Sequence, residues 1–551
     1  MLCVILSPCG AQEFNSVPLG HAAYDIIETG VIYGICAPPP SAKPWSEQTV
    51  KKLLWEILND PSEILTSGEI ETIDYVLESF NRKTGFDPDV GRYRTEGYNF
   101  TFETGFGWEN IFSVGTPRAS FSDLSFAKIY ACGDWDDFSS WNVTAFGGFL
   151  YIKQDELGDD NLKTFAVPSF FPYTPGKRWD GGVLLLTGTG ISSRPKDPAL
   201  AGGFFAEING VFWEDRLQLR LGRIHRDWGR STGVSLFLNA QARPFTALEG
   251  TVTPLSWMNI SFLSGALERY STDGPQQGAG PFTNLISLAR VELNPVKYFS
   301  FGMGGSVVML RRANPAFFTD IELRIPGLFT LWGGLFVDQF KSFDNFSSLN
   351  DNSYAFQAGL KTVIRWLPLA TFSVRYTKVE PYCYTHTGGS LTSATSASAY
   401  VSDGESLGYY LPPNSDEVFL SIESRFSPGL KGFISFQIIR HGVDFGYGAV
   451  PGSSLRDRFD SSYPNKYFLK DGVYKWDNIL KVGGEMAFKL SAKPCSFFAE
   501  AGLVNTHFTI NGHDDDGSTR IGYEADYESV NDSVYKPGNS FIFSLGFRLF
   551  F

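Results

Sequence analysis

Arginine is concentrated where the chain reads Leu221-Gly222-Arg223-Ile224-His225-Arg226-Asp227-Trp228-Gly229-Arg230, followed by Ser235-Leu236-Phe237-Leu238-Asn239-Ala240-Gln241-Ala242-Arg243-Pro244-Phe245. A guanidinium is a planar fork of donors that fits a carboxylate in two parallel bonds. Arg223, Arg226, Arg230 and Arg243 are therefore candidate contacts for a carboxylate-bearing ligand, with Trp228 offering a flat face for stacking. Asp227 and Asn239 complete this candidate ligand-binding set. The same residues can instead close on one another, with Asp227 neutralising an arginine, and brace an interior that has no packed core. The sequence leaves both readings open.

Other constellations carry less chemistry. The histidines are His21, His225, His386, His441, His507 and His513, and of these only His507 falls in an evident strand, with no serine partner. No HExxH, GxSxG or phosphate-binding loop is present, so the chain is not read as an enzyme, and neither a cofactor nor a metal is expected. The acidic loop from Asn511 to Gly517 fails the EF-hand register, because the first and twelfth ligand positions would be Gly512 and Tyr523. Cys36, Cys132, Cys383 and Cys495 are widely spaced and read as lone thiols.

The elements that must position these residues are strands. Aromatic residues make up 15% of 551 and charged residues only 19%, with 57 glycines and 49 phenylalanines. Soluble domains average about 25% charged, whereas a barrel facing lipid outside and water inside needs aromatic girdles, glycines and few outward charges. No apolar run reaches the length of an α-helical membrane span. The net charge of -13 argues against a nucleic-acid partner.

Periodicity divides the chain. Residues 1–11 read as the incomplete tail of a secretory signal, apolar from Leu2 to Leu6 but without a basic start. Residues 17–83 have helical character: a first helix from His21 to Thr29 closed by Gly30, a second after Ser46, and a third opened by the capping box Thr66-Ser67-Gly68-Glu69. Val50, Leu53, Leu54 and Ile57, then Ile70, Ile73, Val76 and Leu77, give two stripes that can bury one another. The reading is a small bundle on the periplasmic side of residues 91–551, where the period becomes two. The last strand is clearest: Phe541, Phe543, Leu545, Phe547, Leu549 and Phe551 alternate with Ser544, Gly546 and Arg548. A terminal aromatic strand ending in Phe resembles the signal read by barrel-assembly machinery. Short turns at Asn294-Pro295, Pro326-Gly327, residues 365–368, 427–429 and 491–494 alternate with long connections. At about 25 residues per strand and connection, the expected fold is an all-β antiparallel transmembrane barrel of about 18 strands, within 16 to 20, carrying the small N-terminal helical domain.

The arginine segment also resembles a family. Gly222-Arg223, then Trp228-Gly229, then Ser235-Leu236-Phe237-Leu238-Asn239 with Ala242 and Pro244 is similar to the outer-membrane capsule assembly proteins of the Wzi type. The likeness extends more loosely to Leu217, Leu219, Trp257, Gly265 and the helical region. It implies a barrel of about eighteen strands with a helical bundle at its periplasmic end, binding or organising surface polysaccharide in the bacterial outer membrane. Its partners would be outer-membrane lipid, barrel-assembly machinery and polysaccharide. The alternative is a porin or substrate-selective channel, and the state of the lumen discriminates between them.

Overall fold

The computed structural model describes residues 14–62, 64–80, 93–94, 99–115, 120–134, 139–154, 199–213, 216–230, 234–242, 244–267, 284–309, 313–338, 353–385, 399–402, 405–443, 450, 452–455, 472–490, 493–513, 519–524 and 537–550. Among these residues, eighteen strands close one antiparallel barrel. They are β1 Asn99–Gly115, β2 Ser120–Asp134, β3 Ser139–Gln154, β4 Ala199–Phe212, β5 Leu217–Ile224, β6 Phe245–Leu255, β7 Met258–Leu267, β8 Asn284–Val296 and β9 Phe299–Met309. The second half comprises β10 Ala313–Ile325, β11 Phe329–Asp338, β12 Ser353–Val363, β13 Ala370–Val379, β14 Ser415–Ser427, β15 Leu430–Gly442, β16 Gly472–Leu490, β17 Lys493–His513 and β18 Gly538–Phe550. Each pairs with its successor, and β18 closes the ring on β1 with Phe543 opposite Phe112. The strand number and the antiparallel closure are those expected from the alternation.

Outward positions are mostly apolar, while the inward ones carry most of the polar residues together with the apolar ones that meet the inward loops. Phe541 and Val114 lie exposed on the outer wall while Ser544 and Ser113 are buried, and the same holds for Val418 against Ser421. At the end carrying the short turns, Trp213, Trp257, Tyr298 and Trp366 are exposed, forming part of an aromatic girdle. The expected turns at Pro326-Gly327, 365–368 and 427–429 are present. The one expected at Asn294-Pro295 lies instead at Lys297-Tyr298. Pro295, lacking an N–H, sits in a bulge where the register shifts between Leu293 and Val296, and the strand continues past it.

Three helices precede the barrel: α1 Ala22–Tyr33, α2 Glu47–Leu58 and α3 Ser67–Glu78. Ser46 caps α2, and Thr66 with Glu69 forms the anticipated capping box on α3. The first helix runs further than its sequence suggests. Gly30 lies inside it, where a Cβ would approach Ile57 Cδ1 to 2.5 Å, and the terminating left-handed residue is Gly34, φ 79°. Gly30 is thus a packing glycine, with no role as a helix stop. Ile26, Ile27, Val50, Leu54, Ile57, Ile73, Val76 and Leu77 form the bundle's core, joined by Leu369 from a barrel turn. Ile70, expected in the buried stripe, is exposed instead.

Among the described residues, inward-folded segments occupy part of the lumen. The connection from β5 to β6 and that from β13 to β14 both fold inward, so that Trp228, Leu236, Phe237, Leu238, Tyr384, Tyr400, Leu407 and Tyr409 pack against Phe318 and Phe336 of the wall. Below them the chain between α1 and α2 enters the lumen, where Ala42–Lys43 pairs as a strand with Asp227–Trp228.

Candidate functional site

The arginine segment occupies the junction of wall, inward loop and N-terminal region, and Arg223, Arg226, Asp227, Trp228, Arg230 and Asn239 are all buried. Arg226 has the most complete surroundings. Its Nε donates to Glu249 Oε2 at 2.6 Å, and its two terminal nitrogens reach the carbonyls of Ile224, Phe245 and Gly222 at 2.9–3.0 Å. The guanidinium also lies over the Phe245 ring, 4.9 Å from its centroid. Arg230 pairs through Nη2 with Glu292 and approaches Glu322 at 3.4 Å, while its backbone N–H donates to Asp320 at 2.9 Å. Arg223 donates to the Pro244 carbonyl at 2.6 Å.

Asp227 faces Lys43 at 3.6 Å across the short sheet between the N-terminal segment and the loop. Burial pushes its carboxyl up to about 6, against the pull of the Lys43 ammonium. Trp228 is 2% exposed, and its backbone N–H donates to the Leu238 carbonyl. Asn239 is a loop clasp: its amide donates to the Gly408 carbonyl and its Oδ1 accepts from the backbone N–H groups of Gln241 and Ala242 at 2.6 and 3.0 Å. Arg243 lies outside the described residues.

The network extends beyond the segment into residues that sequence reasoning did not select. Arg220 on β5 bridges Glu249 at 2.5 Å and Glu207 at 3.3 Å and donates to the Pro44 carbonyl. Glu207 accepts from the backbone and side chain of Ser16, and Glu292 from the Ser41 backbone at 3.0 Å. Arg290 reaches Asp320 at 2.7 Å by crossing β9 at Gly302, where a Cβ would lie 2.1 Å from its Nη2. Arg324 closes the series on Glu322 at 3.1 Å. A usable signal existed. Glu249, Glu292 and Glu322 each sit between two apolar residues of a strand, Leu248-Glu249-Gly250 apart, and the flanking Leu248, Ile321 and Leu323 face outward, so the acids face inward.

In chemical terms the arrangement joins plug to wall. Carboxylates on β4, β6, β8 and β10 hold arginines of the wall and loop, and backbone groups of residues 16, 41 and 44 bond directly into the same network. Removing two charges from water is costly, and in this interior Arg220, Arg226, Arg230 and Arg290 each have a carboxylate partner, with three carbonyls besides around Arg226.

Elsewhere, His441 lies in β15, so His507 is not alone among the histidines in a strand. The Nδ1 of His441 lies 2.8 Å from Ser415 Oγ, and both residues are buried. Among the described residues Cys36, Cys132, Cys383 and Cys495 form no disulfide with one another.

A closed antiparallel barrel with an apolar outer wall, an aromatic rim and a plugged, charged interior has the fold of bacterial outer-membrane β-barrels. The solved structure of Wzi, an outer-membrane protein involved in group 1 capsule assembly in Escherichia coli and described as a carbohydrate-binding β-barrel, is similar over 97% of this chain and 99% of its own, with a TM-score of 0.51 at 12% identity. Pseudomonas aeruginosa OpdK, solved with vanillate, aligns over 82% of this chain and 99% of its own (TM-score 0.43, 12% identity). OprD of the same organism aligns over 85% and 95% (TM-score 0.41, 11% identity). No protein-family model matches the sequence, and no curated protein matches it. The resemblance to the capsule-assembly barrels read from residues 222–244 therefore holds at the level of the fold.

Proposed function

We propose that the chain is an outer-membrane barrel of the capsule or exopolysaccharide assembly type, which binds or organises surface polysaccharide and is not an enzyme. The observation that carries this reading is the lumen occupied by inward-folded segments. Two inward loops and the N-terminal region occupy it with a packed aromatic core and paired charges, an interior suited to a rigid binding scaffold and unlike a wide aqueous pore. The fold shared with Wzi supports the same reading.

In this proposal the helical region faces the periplasm, residues 1–11 belong to a secretory signal, and β18 is the strand presented to the barrel-assembly machinery. Arg223, Arg226, Asp227, Trp228, Arg230 and Asn239 hold the plug in register, and sugar contacts lie on other surfaces. The test uses the full-length protein in detergent, on an array of acidic and neutral polysaccharides and in planar bilayers. Binding to at least one polysaccharide without stepwise currents is expected. Stepwise currents with no polysaccharide bound would overturn the proposal in favour of a porin.

A further inference from the structure

A half-open cavity of about 320 Å³ lies inside the barrel, and its lining comes from α1, from each of β11 to β16 and from both inward loops. Small molecules are bound in clefts of about 300–1,000 Å³, so the space is large enough for one. What it would accept follows from how the lining spends its charges and its hydrogen bonds.

The charges are paired off. Glu28 meets Lys361 at 2.6 Å, Asp25 and Glu423 share Lys431 at 2.7 and 3.1 Å, and Arg375 meets Glu417 at 3.2 Å. A ligand with a net charge would have to break one of these pairs to find its counter-ion. Hydrogen-bonding capacity, by contrast, is left over in both senses. An ammonium carries three donors and a carboxylate about four acceptor positions, so each pair keeps some of both. Ser373 and Ser421 bond each other at 2.7 Å, which uses one of their two hydroxyl protons. The Nε of Arg375 and the Oε1 of Gln241 have no partner among the described residues, and both side chains line the cavity. Val234, Trp332 and Phe419 supply the apolar part of the lining. A ligand matched to this surface is uncharged, donates and accepts through the same groups, and presents C–H faces. Hydroxyls do the first two, and a carbon ring that bears them does the third.

We propose that the cavity is a lumenal site for a neutral mono- or disaccharide. The inference deepens the proposed function and rests on it for the source of the sugar, while the place and the ligand class follow from the lining.

The test puts a thiol in the cavity. Ser421→Cys is made in the full-length protein, held in a detergent without a sugar headgroup, and labelled with iodoacetamide. Labelling is repeated with each of a panel of neutral mono- and disaccharides of gluco, galacto and manno configuration. The described native cysteines are buried, and the unmodified chain sets the background. A ligand that shuts out the reagent slows labelling roughly tenfold at about ten times its Kd. At least one neutral sugar should reach that protection with a saturable dose dependence, and glucuronate and glucosamine at the same concentration should not. No protection by any neutral sugar, equal protection by the charged sugars, or a thiol that does not label at all would each overturn the inference. Where Ser421→Cys disturbs the fold, Ser373→Cys, opposite it on β13, gives the same readout. Polymer binding on the polysaccharide array without protection by a small sugar would sink the lumenal site and leave the proposed function standing. Protection without polymer binding would do the reverse.

Discussion

At the scale of single residues, what matters is how many partners each buried charge has. Arg226 serves Glu249 and three carbonyls at once, so truncation to alanine leaves four acceptors short of a donor. Breaking a buried pair from one side costs about 3–5 kcal/mol. Glu249 keeps Arg220 at 2.5 Å, which places Arg226→Ala toward the lower end of that range. Arg230→Ala similarly leaves Glu292 with Arg290, at 3.7 Å, as its nearest described cation, beside the neutral donors of Ser41, Asn259 and Asn294. Both variants should show a clear drop in unfolding temperature in detergent, with polysaccharide binding by the folded fraction retained. Unchanged melting together with lost binding would make this segment the ligand site. Arg226→Lys should fall between, since an ammonium keeps the charge but cannot span the three carbonyls.

At the scale of elements, the informative joint is the one between α1 and the turn from β10 to β11. Gly34 ends the helix at φ 79°, and a Cβ there would stand 2.7 Å from the Pro326 Cβ. Alanine therefore meets both a left-handed backbone and a rigid ring. Strain of this kind costs on the order of 1–3 kcal/mol. Gly34→Ala should lower the melting temperature of the full-length protein, while Gly68→Ala, in open space on α3, should change it little. An equal response at the two sites would remove the turn contact from the account of how the bundle is seated.

For the molecule as a whole, closure is the decisive event. β18 is hydrogen-bonded on both sides, to β17 through Leu549 opposite Cys495 and to β1 through Phe550 opposite Gly105. An unclosed barrel exposes two edges to lipid, where unpaired backbone groups cost several kcal/mol each. Deleting Phe550 and Phe551 should therefore reduce the heat-modifiable, membrane-inserted form while leaving export intact. Normal amounts of inserted protein would show that the terminal aromatics do not direct assembly.

The barrel itself was legible in the sequence, because a two-residue period reports directly which side of a strand meets lipid. Phe541 and Ser544 take their sides from that rule alone, as do the inward arginines Arg375 and Arg425. Capping chemistry likewise marked the starts of α2 and α3, since Ser46 and Thr66 act on backbone groups only three residues away. Local rules failed where a residue's role depends on a distant neighbour. Gly30 looks like a helix stop until Ile57 is seen against it, and Pro295 looks like a turn until its bulge is paired. The arginine segment was visible as chemistry, but its meaning was not. Whether those guanidiniums meet a sugar or a carboxylate depends on Glu207, Glu249, Glu292 and Asp320, which lie on separate strands and come together only when the ring closes. The same is true of the plug. Composition prescribes an apolar outside and a polar inside, but it does not specify which loop turns inward, because that choice is made by contacts between segments as remote as Lys43 and Asp227.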